Sequence, residues 1–97
     1  MTLGKSKAGK MCLAAAAILD GDRQRQNGDK IKNHQNIADH WNAYLGDRLA
    51  SPLTPKDVAL MMVEFKIART KLGEHNPDDY QDMIGYAGIA FECADDD

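Results

Sequence analysis

Seventeen residues, 56–72, run from Pro55 to Gly73 with no further proline and no glycine. Thr54 stands just before Pro55, and Asp57 three positions after Thr54. A threonine at a helix N-cap offers its hydroxyl oxygen to the unpaired N–H groups of the first turn. Proline at the first helical position loses nothing, since an N–H there would have no partner in the helix. Asp57 can reach back to the Thr54 N–H and meets the positive end of the helix dipole. This stretch therefore predicts a helix that starts at Pro55 and stops at Gly73, and it commits the chain to helical architecture.

The same punctuation divides the rest of the chain. A first helix is expected over about Ser6 to Leu19, ending at Asp20-Gly21-Asp22. The connector that follows holds Asn27-Gly28, two residues that tolerate positive φ and mark a turn. A second helix is expected with Asp29 as N-cap and Gly46 as its stop. A fourth begins after Asn76-Pro77, with Asp78 and Asp79 in its first turn, and runs to about Cys93. No stretch alternates apolar and polar residues over five positions with β-branched enrichment, so no strand is expected. The fold class is all-α, a compact four-helix bundle. It forms a single domain over residues 1–97, with a flexible basic arm at 1–5 and a flexible acidic tail at 94–97.

At 97 residues, 43% hydrophobic and 28% charged, the composition is that of an ordinary globular domain. A chain this short buries only about 65% of its unfolded surface, so its core is modest and a homo-oligomer is expected. The net charge of −3 argues against non-specific nucleic-acid binding. The longest apolar run, Met11 to Leu19, is far below the roughly 20 residues that span a bilayer. Lys5, Lys7 and Lys10 before it imitate a signal peptide, but no small-residue cleavage site leads into a secreted-looking domain. Cys12 and Cys93 make neither a disulfide framework nor a metal spacing, which places the chain in the reducing cytoplasm.

Helical angles assign faces. Leu13, Ala16, Ala17 and Cys12 are the expected buried stripe of the first helix. Ile31, Ile37, Ala38, Trp41 and Leu45 are that of the second, with Asn33, Asn36 and His40 opposite. On the third helix Val58, Met61, Met62, Phe65 and Leu72 share a face, while Leu60, Val63 and Ile67 lie opposite and are expected to meet the first helix or a second subunit. On the fourth, Tyr80, Met83, Ile84, Ala87 and Phe91 form the apolar face. Arg69 falls inside the apolar face of the third helix with Lys66 at its border, and a buried cation needs a partner. Asp78, Asp82 and Tyr86 form a ladder at i, i+4, i+8 beside Gly85, so Lys66 and Arg69 are expected to face Asp78 and Asp82. That constellation is either a helix-to-helix salt-bridge network or a polar pocket for a phosphorylated ligand.

Other motifs carry less. Gly4-Lys5-Ser6-Lys7-Ala8-Gly9-Lys10-Met11 nearly spells a P-loop, but Met11 stands where Ser or Thr should hold magnesium, and no strand precedes it. His34, His40 and His75 form no zinc set with the cysteines. No nucleophile elbow is present.

The run Asp22-Arg23, Asn27-Gly28-Asp29, Trp41, Tyr44-Leu45-Gly46, then Thr54-Pro55-x-Asp57-Val58-Ala59-x-Met61-Met62, Lys66-x-Ala68-Arg69 and Asp82-x-x-Gly85-Tyr86-Ala87 resembles a family of short phage and prophage proteins of unassigned function. The likeness covers roughly residues 13 to 92. That family is distantly similar to the MazG-like all-α nucleotide pyrophosphohydrolases, which hold magnesium with a Glu-x-x-Glu pair and a later Glu-x-x-Asp. Here the only glutamates are Glu64, Glu74 and Glu92, and Asp79-x-x-Asp82 is the nearest substitute for the later pair. The resemblance implies a nucleotide-related pocket without the full metal set. Its leading expectation is a small nucleotide-binding protein that sequesters a phosphorylated nucleotide or nucleotide signal without turnover. Arg23, Lys66 and Arg69 would take phosphates; Asn33, Asn36, Asp78, Asp82 and Tyr86 would complete the site. One alternative is a minimal magnesium-dependent pyrophosphohydrolase with Asp79 and Asp82 on the metal. Another is an interaction module with no small ligand.

Overall fold

The computed structural model describes residues 3–21 and 29–96 of the chain. All the regular structure among them is helical: α1 over Lys7–Asp20, α2 over Lys30–Leu45, a single 3-10 turn at Gly46–Arg48, α3 over Pro55–Thr70 and α4 over Pro77–Asp96. The Asn27-Gly28 turn and Arg23 lie outside the described residues.

The helix starts follow from capping chemistry. The Ser6 hydroxyl accepts from the Gly9 N–H at 2.9 Å, and the Asp29 carboxylate accepts from Ile31 and Lys32 at 2.8 and 3.2 Å. Those two N–H groups, Lys32 foremost, hold the Asp29 carboxyl below its ordinary range. A lowered value stabilises the folded chain above the unfolded pKa, and the gain is lost as pH falls through the folded one. At α3 both halves of the capping box are present: Asp57 N–H donates to the Thr54 hydroxyl at 3.2 Å, and Thr54 N–H donates to the Asp57 carboxylate at 2.9 Å. Thr54→Ala is expected to cost about 1 kcal/mol, read as a lower denaturation midpoint at unchanged slope. Gly46, at φ 51°, ends α2 where a side chain would strain the backbone, whereas α3 stops short of the expected Gly73, at Thr70 with Lys71 as its C-cap, and Gly73 at φ 81° turns the loop beyond it. The loop before α3 is tied down by Asn42, whose amide donates to the Leu53 carbonyl at 3.0 Å and accepts from the Leu53 N–H at 2.7 Å.

Helices α3 and α4 form an antiparallel hairpin with the most extensive contact in the molecule; α1 lies on α4, and α2 lies mainly on α3. The core is thin and made of small side chains. Ala59 of α3 meets Ile89, Ala90 and Cys93 of α4, with Leu19, Ile31 and Tyr86 packed around them. Ala15 and Ala38 bring α1 and α2 in, and Val58 is the largest side chain wholly out of water among the described residues. Gly88 belongs to the same close packing, since a Cβ there would come to 3.3 Å from the Leu19 side chain.

Small residues at these contacts rotate three helices away from the faces expected of them. On α1, Ala15 is buried while Cys12, Leu13, Ala16 and Ala17 face out. On α3, Val58 is buried as expected and Met62 half-buried, but Met61 and Phe65 are exposed, as is Leu72, which lies beyond the end of the helix. Val63 and Ile67 are half-buried and Leu60 is exposed; α1 does not reach α3. On α4, the face toward the core holds Asp79, Ile89, Ala90 and Cys93, whereas Tyr80, Ala87 and Phe91 are exposed. The reason is distance: helices held close by alanine leave no room between them for phenylalanine or leucine, and the cations of α3 let acids of α4 turn inward. On α2, Ala38 is buried, Ile31, Ile37, Trp41 and Leu45 are half-buried, and Asn33, Asn36 and His40 face out, as the angles predicted. At the N-terminus, Gly4 folds back against Gly9 and the Leu13 side chain.

Candidate functional site

The α3–α4 hairpin keeps a constant register. Lys66 Nζ lies 2.9 Å from Asp82 Oδ2, and three residues further along α3 Arg69 Nε donates to Asp79 Oδ1 at 2.9 Å. A step of three along α3 is answered by a step of three back along α4, and seven more in the other direction bring Ala59 to Ile89 in the core cluster. The two cations and two acids thus form a ladder along the seam of the hairpin, continuous with the apolar contacts.

Lys66 meets Asp82 as expected. Arg69 meets Asp79 rather than Asp78 or Asp82, because the fourth helix is turned by one residue from its expected face. Asp78 sits on the outside of the first turn, and its N–H donates to the Asn76 side chain at 3.0 Å, an N-terminal cap. The Asp79 side chain is only 6% exposed, whereas that of Arg69 is 50% exposed. A buried carboxylate is tolerated here because a cation sits on it. The Arg69 guanidinium also lies 5.8 Å from the centre of the Phe65 ring, and Lys66 Nζ 5.7 Å from it, within cation–π range.

Around this end of the hairpin runs an open groove of about 500 Å³, lined by Phe65, Ala68, Arg69, Leu72, Glu74, Asn76 and Asp79. Arg69 bonds to Asp79 through Nε, and its two Nη atoms make no hydrogen bond among the described residues. The groove therefore offers a fixed guanidinium with two free donor nitrogens, an aromatic ring, an apolar wall and the Glu74 carboxylate.

Of the expected ligand residues, the structure brings Lys66, Arg69 and Asp82 together on the ladder. Tyr86 follows on α4, half-buried, with its ring edge-on to His34 at 6.1 Å between centroids. Asn33 and Asn36 face outward on α2, away from that groove's lining. Two buried groups take roles that the sequence did not assign to them. Asp79 carried a signal in its three-residue spacing from Asp82, which matches that of Lys66 and Arg69. His34 is 6% exposed. Its Nδ1 lies 2.8 Å from the Lys30 carbonyl, and its Nε2 is buried without a hydrogen bond among the described residues.

A magnesium pair at Asp79 and Asp82 does not fit this geometry, because both carboxylates already carry a cation from α3. No three His, Cys, Asp or Glu side chains among the described residues are placed to share a metal ion. No described helix is long and apolar enough to cross a membrane.

Comparison with known proteins places the chain. The Gene 55 protein of Mycobacterium phage L5 is 40% identical over 75 residues, 77% of this chain and 46% of that protein. The Gene 55 protein of Mycobacterium phage D29 is 34% identical over 74 residues, 76% of this chain and 46% of that protein. The chain spans about half the length of the curated relatives it matches. No solved structure matches it. Residues 10–94 match the model of a domain of unknown function, DUF6378, and the chain belongs to that family.

Proposed function

We propose that this protein is a small phage-type nucleotide-binding protein, a bundle of four helices that holds a phosphorylated nucleotide or nucleotide signal without turning it over. The observation that carries the reading is the Arg69 guanidinium. Asp79 fixes it through Nε, it leans on Phe65, and its Nη atoms are left free at the edge of the groove. A guanidinium held this way is pre-organised for two-pronged contact with a phosphate, because its ordering entropy has already been spent in folding. Phe65 and Leu72 offer flat apolar surface to a base, and Glu74 offers an acceptor to ribose hydroxyls or an exocyclic amine. The distant resemblance to MazG-like enzymes points to the same ligand class. Binding without turnover is supported by the engagement of Asp79 and Asp82 with α3, which leaves neither carboxylate of that pair free for a metal. A phage protein that removes a host nucleotide signal by holding it has this requirement, a site for the ligand and no chemistry.

The test is a thermal-shift panel of mono-, di- and triphosphate and cyclic nucleotides, with and without magnesium. A ligand present at 100 times its Kd adds about 2.7 kcal/mol to the folded state. The expected result is a rise in Tm with at least one nucleotide. Arg69→Lys, which keeps the charge but not the fork, should lose that rise relative to its own ligand-free Tm. Chromatography of the bound fraction should return the nucleotide intact. No shift with any nucleotide would overturn the reading, and a hydrolysed product recovered with magnesium would replace it with the pyrophosphohydrolase.

A further inference from the structure

The exposed side of α3 carries a second apolar seam. Met61, Phe65 and Ala68 share one face of α3, and Leu72, just past the Lys71 C-cap, continues their spacing of 4, 3 and 4 residues; all four are exposed. Leu72 is 83% exposed.

We infer that this seam is the contact between two copies of this chain, lying antiparallel with the two-fold axis passing between Lys66 and Ile67. The seam is symmetric about that point. An antiparallel copy sets its Leu72 against Met61 and its Ala68 against Phe65, so a large side chain meets a small one in each central layer. A parallel copy would stack Phe65 on Phe65. A receptor for the protruding leucine exists where this register needs it. Beside Met61 lies a second open groove of about 460 Å³, walled by Pro52, Leu53, Leu60 and Met61 and edged by Asp57 and Glu64. Lys71, exposed next to Leu72, arrives on that acidic edge, so the charges match as well as the shapes. The contact is self-complementary, as a two-fold dimer requires: each copy supplies one Leu72 and one receiving groove. The other exposed apolar faces lack this match. That of α4, with Tyr80 and Phe91, is flanked by Asp78 and Glu92, which a two-fold would set against their own kind. That of α1 carries Lys7 and Lys10 beside small side chains.

The dimer does not rest on the nucleotide reading and shares Phe65 and Leu72 with it, so a base on those side chains and the second copy exclude one another. Light scattering of the full chain without ligand is expected to give twice the 10.7 kDa chain mass. Phe65→Glu should halve the mass with the helical circular dichroism unchanged. Lys71→Glu should also weaken the dimer, and adding Glu64→Lys in the same chain should restore it. In a Cys12→Ser background, Met61→Cys with Leu72→Cys should oxidise to a covalent dimer, while Met61→Cys alone should not. A monomer at hundreds of micromolar would overturn the proposal, as would a dimer indifferent to Phe65→Glu and Lys71→Glu. Covalent dimers from Met61→Cys alone would replace the antiparallel arrangement with a parallel one. Because mass is read without nucleotide, a failure here leaves the ligand groove standing, and a chain that dimerises but binds no nucleotide fails only that reading.

Discussion

Arg69→Ala is expected to cost about 3 kcal/mol, and more than Asp79→Ala, although the two residues share one ion pair. The asymmetry follows from where each group sits. The Asp79 side chain is 6% exposed and that of Arg69 50%. Removing the arginine leaves a carboxylate in the seam of the hairpin with its cation gone and with water reaching it only from the groove side. Removing the aspartate leaves a guanidinium that is already half in water and is rehydrated at small cost. The double variant should lie close to Asp79→Ala alone, because once the carboxylate is absent the arginine has nothing to neutralise. Denaturant midpoints of the four proteins at matched slopes provide the cycle, and a coupling of about 1–3 kcal/mol is expected. Equal and additive losses would show that the pair contributes no coupling and that each residue acts through its own packing. The same cycle bears on the nucleotide reading. If Asp79 orients Arg69 for a phosphate, Asp79→Ala should weaken nucleotide binding while keeping most of the fold.

The ends of the helices were legible in the sequence because they are decided by local chemistry. Asp29 and Thr54 cap the two helices whose starts are read from them and Gly46 stops α2, while Ser6 caps α1 and Lys71 rather than Gly73 caps the end of α3. The faces were legible only for α2. On α4 two heptad-spaced seams compete, one through Tyr80, Met83, Ala87 and Phe91 and the other through Asp79, Asp82, Tyr86, Ile89 and Cys93. Ranking by hydrophobicity selects the first. The structure selects the second, for two reasons that no single-helix pattern contains. Lys66 and Arg69 on α3 repeat the three-residue spacing of Asp79 and Asp82, which turns two acids from a cost into a zipper. Alanine at positions 59 and 90 and Gly88 let the helices approach closely. The site was legible to the same degree. Lys66 with Asp82 was found; Asp79 was missed as the partner of Arg69 because the helix had been turned by one residue. A lone histidine on a polar-looking stretch gives no sign that its ring will be buried edge-on to Tyr86, as that of His34 is.

The choice between those two seams has a direct energetic consequence, which one substitution made at two alanines should expose. Ala59→Leu is expected to destabilise by about 1–3 kcal/mol. Ala59 is fully buried against Ile89, Ala90 and Cys93. Three added carbons there have no void to enter, so either α4 moves away or the leucine leaves its preferred rotamer. Moving α4 would also stretch the Lys66–Asp82 and Arg69–Asp79 contacts, which lie along the same seam at 2.9 Å each. Ala87→Leu is the same chemical change on the partner helix, at a position exposed to water. A surface substitution of this kind falls within about 0.5 kcal/mol of neutral, and leucine retains most of alanine's helix propensity. A chain of this length is held by roughly 5–15 kcal/mol in total, so the first change is a visible fraction of stability and the second is not. Denaturation midpoints of the two variants, measured side by side, decide the matter. The reverse pattern, with Ala87→Leu costly and Ala59→Leu harmless, would turn α4 back to the seam of Tyr80 and Phe91. That rotation would move Asp79 out of the hairpin and leave Arg69 without the carboxylate that holds it at the groove.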